Sequence, residues 1–333
     1  MPDSDARPLN DPIYPDWPIF GLSDDVRETL DRELAAGRAC ALVTLIHADG
    51  GSPRPPGAQM LVSQTALSGF LSGGCVEADV AAHARAALAD GAPRRLVYGE
   101  GSPWPDIRLL CGARIEMLVE PLTPDDPAAK ALIALRAARQ PALWTTDGAT
   151  RRCDAAAGLG VEPRIMVDTA PFQVRLTLPP QRRMVVVGGD PTALAVTQLA
   201  LAMGYETHLV RPRGPTAAPP GISARYWRTE ASAALAQIGL DPWTFVAVAT
   251  HDTETDEAAL AAALPSPAPY VGVLGARRRL PERIARLRSR GVAEADLARL
   301  RGPIGLDLGG KSPYEIAVAV MAEATAVSHG RDS

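Results

Sequence analysis

The chain has 333 residues and a mass of 35.0 kDa, a length that predicts two domains or three. With 47% hydrophobic residues it can bury a sizeable core, which excludes a disordered chain. Its net charge of −4 and pI near 5.8 argue against nucleic acid or an anionic membrane as the main partner, because such surfaces need a basic excess.

Residues 1–20 are acidic and rich in proline, and we interpret them as a tail. They lack the positive and apolar regions of a signal peptide, and no apolar run in the chain approaches the roughly 18 residues of a membrane span. No CxxC pair is present, so we expect reduced thiols rather than a disulfide framework or a structural zinc site. These features predict a cytoplasmic protein. The four cysteines lie far apart: Cys40, Cys75, Cys111 and Cys153.

Residues 21–122 predict a mixed α/β domain. A helix capped by Ser23 or Asp24 runs to Gly37, and an apolar strand over Cys40–His47 follows it. The next loop, Asp49–Gly57, contains three prolines, which exclude regular structure there. Further elements of this domain are a short strand over 59–62, a helix over 76–89 and strands over 94–98 and 114–120.

Residues 123–180 predict a connecting subdomain with one helix, and Pro179-Pro180 mark a boundary. From 181 to 333 apolar strands alternate with helices, a pattern typical of βαβ units in a doubly wound parallel sheet. We therefore expect a Rossmann-like second domain. Its clearest strands are Met184–Val187, Thr207–Val210, Trp243–Ala249 and Tyr270–Leu274.

Two cysteines of the first domain lie in loops beside glycine. Gly73 and Gly74 place Cys75 near a helix N-terminus, where a thiolate is favoured and acts as a nucleophile, a sulfur carrier or a soft metal ligand. Cys111-Gly112 repeats the pattern, and two such loops suggest one shared soft-ligand site. The alternatives are a buried cysteine in a tight turn, and two cysteines that never meet.

The turn after the first strand of the second domain departs from the dinucleotide fingerprint G-x-G-x-x-G/A. Gly188 fills the first position, Gly189 follows it, and Asp190 stands where glycine admits the pyrophosphate. Arg211 ends the next strand in place of an acidic residue, which favours the 2′-phosphate of NADP or no dinucleotide at all. The turn predicts the fold better than it predicts a cofactor.

Two further loops follow apolar strands, at the edge where open α/β sheets bind their ligands. One contains His251 and Asp252, and the other contains Arg277 and Arg278, whose guanidinium groups suit a phosphate. Capping for His251 and a solvated helix face for the arginines are the plainer alternatives.

Gly305–Ser312 satisfies the Walker A pattern letter for letter, with Lys311 as its lysine. A phosphate-binding loop requires a buried strand before it, and Leu300–Ile304 does not read as one. We interpret the match as a decoy.

Taken in order, several segments resemble the XdhC/CoxI family, the accessory factors of xanthine dehydrogenase and related molybdenum hydroxylases. The matching segments occur in order across about 300 residues, and only residues 1–20 and 123–180 carry none of them. The segments are Gly51–Gly57 (GSPRPPG), Ser72–Glu77 (SGGCVE), Leu110–Gly112 (LCG), Thr250–Asp252 (THD), Tyr270–Gly275 (YVGVLG), Gly302–Asp307 (GPIGLD) and Glu315–Ala317 (EIA).

The resemblance implies an N-terminal mixed α/β domain of XdhC/CoxI type, a C-terminal Rossmann-like domain and a homodimer. It implies a chaperone rather than an enzyme. Such a chaperone binds molybdenum cofactor (molybdopterin), protects it during sulfuration by a cysteine desulfurase and delivers it to the apo-enzyme of a molybdenum hydroxylase. Cys75 matches the family's cofactor-associated cysteine, Cys111 its second cysteine and Arg54 its arginine loop.

We therefore expect a molybdenum cofactor chaperone in which the Cys75 thiolate faces the metal. The alternatives are an NAD(P)-dependent oxidoreductase that uses the second domain and a nucleotide hydrolase that uses Lys311. The expected cofactor-binding residues are Arg54, Gly73, Gly74, Cys75, Glu77, Cys111, Gly112, Gly188, Gly189, His251, Asp252, Arg277 and Arg278.

Overall fold

A computed structural model of the chain describes residues 14–102, 114–156 and 163–331. The chain divides into two compact units, one ending at Pro180 and the other beginning at Gln181. Each unit builds its own sheets and its own cores.

The first unit contains two antiparallel sheets among its described residues. One has the strand order β3-β2-β1-β5-β4 and the other the order β7-β6-β9-β8. A 3-10 helix over Ile19–Leu22 precedes both. The elements are α1 (Arg27–Ala35), β1 (Cys40–Asp49), β2 (Gln59–Val62), β3 (Leu67–Gly69), α2 (Glu77–Asp90), β4 (Arg94–Tyr98), β5 (Arg114–Leu122), α3 (Pro127–Ala137), β6 (Ala142–Thr146), β7 (Arg151–Ala155), β8 (Arg164–Thr169) and β9 (Phe172–Leu178).

The first sheet has an apolar core on each face, and its central strand β1 is buried at the seven positions 40–46. Successive side chains of a strand point to opposite faces. Val43 therefore packs in the core under α2, and its neighbour Leu42 packs in a second core. That second core also holds Leu30 of α1, Trp144 of β6 and Leu176 of β9. The described residues of 123–180, which we predicted as a connecting subdomain, thus share a core with the first sheet.

The described part of the N-terminal stretch packs on this unit. Tyr14 and Phe20 meet edge to face with ring centroids 5.6 Å apart, and both pack against the core under α2. Residues 14–20, which we assigned to a tail, therefore cover part of the first unit.

The second unit is a Rossmann-like domain, as the sequence predicted. Its described strands form one parallel sheet in the order β12-β11-β10-β13-β14-β15. One apolar core lies between the sheet and α4 and α9, and a second core covers the opposite face. The elements are β10 (Arg183–Gly188), α4 (Pro191–Ala202), β11 (Glu206–Val210), β12 (Arg225–Trp227), α5 (Ala231–Ile238), β13 (Thr244–Ala249), α6 (Thr253–Ala263), β14 (Tyr270–Val273), a 3-10 helix (Arg277–Arg279), α7 (Leu280–Ser289), α8 (Glu294–Leu297), β15 (Leu300–Arg301) and α9 (Pro313–Ser328).

The buried carboxylate of Glu33 makes the stability of the first unit depend on pH. It accepts hydrogen bonds from the guanidinium of Arg38 and from the hydroxyls of Ser63 and Thr65. The Arg38 bonds are the main cause that lowers the pKa of Glu33 to about 2, from an ordinary value of 4.5. A lowered pKa in the folded state contributes stability above the unfolded value, and that stability is lost as pH falls toward 2.

We therefore expect Glu33→Gln to lower the free energy of unfolding at pH 7 by about 2–3 kcal/mol. The variant should also show a flatter stability profile between pH 5 and pH 2 than the wild-type chain. Urea unfolding across this pH range measures both effects. Glu28→Gln is the control, since Glu28 lies on the same helix but is 72% exposed. Equal pH profiles for Glu33→Gln and the wild type would contradict the expectation.

Candidate functional site

The cysteine turn, Ser72–Cys75, connects β3 to α2 and presents the Cys75 thiol at the surface. Gly73 and Gly74 have φ angles of +100° and +95°, which glycine adopts without the strain of a side chain. Cys75 is exposed and unbridged, and it stands just before Val76, the N-cap residue of α2. The predicted position of Cys75 at a helix start is therefore confirmed.

The side chain of Glu77, the first residue of α2, points toward the cysteine turn rather than to the solvent. This side chain is fully buried, and its carboxylate accepts hydrogen bonds from the backbone of the turn, including the Gly74 amide at 3.0 Å. The Gly74 amide is thus already bonded within the protein. We expected Glu77 to contact a cofactor; the structure directs its carboxylate into the turn, and a direct cofactor contact stays a prediction.

The loop that contains Arg54 lies against the cysteine turn. A Cβ placed on Gly73 would come within 3.3 Å of the Pro53 ring. Arg54 is about one third exposed, and its Nη2 lies 2.5 Å from Oδ1 of Asp24. Its Nε is buried and has no hydrogen-bond partner within the described residues. The Cys75 thiol and the Arg54 guanidinium, whose Nε has no hydrogen-bond partner within the described residues, therefore belong to neighbouring loops.

The other cysteines differ from Cys75 in position. Among the three that the structure describes, Cys75 alone is exposed. Burial raises the pKa of both Cys40 and Cys153 to about 12, which keeps these thiols protonated. Cys111 and Gly112 lie outside the described residues, so a site shared by Cys75 and Cys111 stays a prediction.

Sequence reasoning missed the groups that surround the first turns of α2. Burial and, to a lesser extent, the charge of Glu77 raise the pKa of Tyr14. Asp79 accepts a hydrogen bond of 2.7 Å from the Tyr98 hydroxyl. Burial is the main cause that raises the Tyr98 pKa. In the sequence, only the predicted strand over residues 94–98 indicated that Tyr98 is buried.

In the second unit, two of the predicted loops, the Gly188-Gly189 turn and the His251 loop, meet at the carboxyl edge of the sheet. Gly188 of β10 pairs with Ala249 of β13, so the turns that follow these strands are neighbours. Asp190 caps α4 by accepting from the Ala193 amide at 2.8 Å, and its Oδ2 lies 3.1 Å from Nε2 of His251. The parallel register thus brings His251, which is 80% exposed, to the Gly188-Gly189 turn.

The Arg211 side chain lies beside the Gly188-Gly189 turn. The Arg211 side chain lies where a Cβ on Gly189 would point, and it also packs on Gly214. Asp252 caps α6 and lies 3.8 Å from Nη2 of Arg213. The geometry therefore gives little support to the dinucleotide binding that the glycine pattern left open.

Arg277 and Arg278 lie in an exposed 3-10 helix that follows β14. Because β14 pairs with β13 in parallel, these arginines follow the strand next to the His251 loop. Their role as anion ligands stays a prediction.

The Walker-like segment forms a helix cap. Ser312 caps α9, and the carboxylate of Glu315 accepts from the amides of Lys311 and Ser312, both at 2.9 Å. The strand before it, β15, has two residues. The amides that a phosphate would need are bonded to Glu315, which supports our interpretation of the motif as a decoy.

No cluster of three or more His, Cys, Asp or Glu side chains that could hold a metal ion occurs in 14–102, 114–156 and 163–331. No helix in these same ranges is long and apolar enough to cross a membrane.

The fold and the site define a class: an antiparallel α/β unit with an exposed cysteine turn, followed by a Rossmann-like unit. Both units match the sequence patterns of known proteins. The sequence pattern of the XdhC and CoxI family matches residues 33–99, and that of the XdhC Rossmann domain matches residues 184–324.

Individual relatives agree with these matches. The chain is 31% identical over 310 residues to the molybdenum cofactor insertion chaperone PaoD of Escherichia coli K12, a match that covers 92% of this chain and 90% of PaoD. It is 30% identical over 145 residues to the uncharacterized protein YqeB of the same organism, covering 42% of this chain and 26% of YqeB. The chain belongs to the XdhC/CoxI family.

A solved structure shares the fold. It is a Bacillus halodurans protein described as a xanthine dehydrogenase, with a TM-score of 0.70 and 22% identity, and the match covers 92% of this chain and 96% of that one. At this identity the likeness concerns the fold alone.

Proposed function

We propose that this chain is a molybdenum cofactor chaperone of the cytoplasm. In this proposal it binds the cofactor as cargo, protects it during sulfuration by a cysteine desulfurase, and delivers it to the apo-enzyme of a molybdenum hydroxylase. The observation that carries the proposal is the exposed Cys75 thiol on a turn held in place by the protein. Similarity to PaoD over nearly the whole chain supports it.

The chemistry of the cysteine turn suits such a cargo. A thiolate is a soft ligand, and soft ligands favour thiophilic metal centres such as molybdenum. The neighbouring Arg54 has a buried Nε that is free to donate within the described residues, and guanidinium groups bind phosphate through directed hydrogen bonds. We therefore assign the metal end of the cargo to Cys75 and its phosphate to Arg54.

The rest of the predicted site extends this proposal. We propose further cargo contacts by Cys111 and Gly112, and anion contacts by His251, Arg277 and Arg278 in the second unit. We also propose that the chain acts as a homodimer. The alternative of an NAD(P)-dependent oxidoreductase has less support, because Arg211 occupies the face of Gly189 and Asp190 is engaged with His251.

The test is the molybdenum and pterin content of the purified full-length chain after co-expression with cofactor biosynthesis. We expect near-stoichiometric pterin in the wild type and at least about tenfold less in Cys75→Ala, because the thiolate–metal contact is lost. Cys153→Ala is the matched control, since Cys153 belongs to the same unit but is half-buried in β7.

Two results would contradict the proposal. A folded wild-type chain that retains no pterin would reject cofactor carriage. Equal pterin in Cys75→Ala and the wild type would reject the role of Cys75. A clear rise of the unfolding midpoint with NADP, in a chain that retains no pterin, would favour the oxidoreductase instead.

A further inference from the structure

The carboxylate of Glu77 accepts hydrogen bonds from Ser72 and Gly74 of the cysteine turn and from Leu71 and Val76, which flank it. Its Oε1 accepts from the amides of Leu71 at 3.1 Å and Ser72 at 2.6 Å. Its Oε2 accepts from the Ser72 hydroxyl at 2.8 Å, the Gly74 amide at 3.0 Å and the Val76 amide at 3.3 Å. The side chain is 0% exposed.

A carboxylate at the start of a helix ordinarily points to water. Burying one costs several kcal/mol unless hydrogen bonds replace its hydration. Glu77 meets this condition through uncharged donors alone among its described partners, all of them between residues 71 and 76. A buried carboxylate is thus bonded to a single segment of the chain, and that segment presents the exposed Cys75.

We propose that Glu77 is the positioning residue of the cysteine turn. Its carboxylate fixes the backbone on both sides of Gly73 and on both sides of Cys75. It thereby sets the orientation of the Cys75 side chain at the surface. This inference rests on the proposed function and deepens it. Because the amides of Ser72, Gly74 and Val76 donate to Glu77, they are not open to a phosphate. The turn therefore selects its cargo through sulfur and leaves phosphate recognition to other residues.

A purely structural role for Glu77 makes different predictions, and the same unit offers a control. Glu33 is also a buried carboxylate that accepts several hydrogen bonds, from Arg38, Ser63 and Thr65. It has no hydrogen bond to the cysteine turn among the described residues. Loss of either carboxylate destabilises the first unit, but only loss of Glu77 should change the behaviour of Cys75.

The experiment compares Glu77→Gln with Glu33→Gln in the full chain. Glutamine has one accepting oxygen and an NH2 group that donates, so the Gly74 amide loses its acceptor and the Val76 amide keeps only the Ser72 hydroxyl oxygen. We expect amide hydrogen exchange over residues 71–76 to become at least about tenfold faster in Glu77→Gln. In Glu33→Gln the faster exchange should instead fall around residues 63–66.

Two further readouts report on Cys75 itself. A nitroxide spin label on Cys75, in a chain carrying Cys111→Ser and Cys153→Ser, should become more mobile in Glu77→Gln and stay unchanged in Glu33→Gln. Unlabelled Glu77→Gln should retain at least about tenfold less cofactor than the wild type. Glu33→Gln should retain as much cofactor as the wild type, even if its unfolding midpoint falls as far as that of Glu77→Gln.

Unchanged label mobility and exchange in folded Glu77→Gln would overturn the inference. If Glu77→Gln does not fold, Ser72→Ala replaces it, because that change removes one donor to Glu77 and leaves the carboxylate in place. It should then give smaller changes in the same direction, and no change would overturn the inference. If the label and the exchange respond but the wild type retains no cofactor, the positioning role stands and the proposed function fails.

Discussion

Replacing Gly188 with alanine is expected to destabilise the second unit by about 3 kcal/mol or more. Gly188 ends β10 with φ +154°, a conformation that residues with a side chain rarely adopt. Its added Cβ would collide with the carbonyl oxygen of Ala249 on the paired strand β13, and it would also reach Ala193 at 2.9 Å. Relief requires two buried strands to separate, so the loss should appear as a lower free energy of unfolding in urea.

Gly204→Ala is the matched control for this change. Gly204 also has a positive φ, +76°, but no atom lies within 4 Å of its added Cβ. Only the backbone strain remains there, which is about 1 kcal/mol. Equal losses for the two variants would show that the contact between β10 and β13 does not require glycine.

Arg151→Met should destabilise the first unit by about 3–5 kcal/mol, because it leaves a buried carboxylate without its cation. Arg151 of β7 donates to Glu120, which is 1% exposed, and to Asp126 at 2.8 Å. The hydroxyl of Thr146 and the indole of Trp144 also donate to Glu120, but neither carries a charge. Urea unfolding at pH 7 measures the loss.

The same variant should show a characteristic dependence on pH. Burial already raises the pKa of Glu120, and loss of Arg151 removes a charge that lowers it. A folded-state pKa above the unfolded value means that stability is lost as pH rises through it. Arg151→Met should therefore be destabilised more at pH 8 than at pH 5.

Arg152→Met is the control for charge on this strand. Arg152 is the next residue of β7 and is 72% exposed, so its loss should change the free energy of unfolding by less than about 1 kcal/mol. If Arg151→Met were no more destabilising than Arg152→Met, the buried ion pair of Arg151 and Glu120 would not stabilise the first unit.

The sequence predicted the second unit better than the first for a physical reason. Strands of a parallel sheet are buried on both faces and read as continuous apolar runs, as β10 and β13 do. The sheet of strands β6 to β9 gives a weaker signal, since β8 alternates exposed and half-buried positions over most of its length. Its place beside the first sheet depends on Trp144 and Leu176, whose long-range packing no local pattern reveals.

The candidate site was predictable to a similar, partial extent. A glycine pair before a helix predicted the turn that presents Cys75, and the rule for carboxyl ends predicted that the His251 loop lies beside Gly188. The burial of Glu77 was not predictable. An acidic residue in the first turn of a helix is common at the surface, where it favours the helix dipole. Only the folded turn shows that this one points inward.

At the start of α9, a nucleotide phosphate would have to compete with the Glu315 carboxylate for the amides of the Walker-like segment. Glu315 is covalently tethered to the amides of Lys311 and Ser312, so its effective concentration at these donors is on the order of millimolar or above. A free nucleotide phosphate would have to displace this built-in ligand and overcome its negative charge as well. Whether a glycine-rich motif with lysine and serine can bind phosphate therefore depends on whether its backbone amides already donate to an acceptor within the protein.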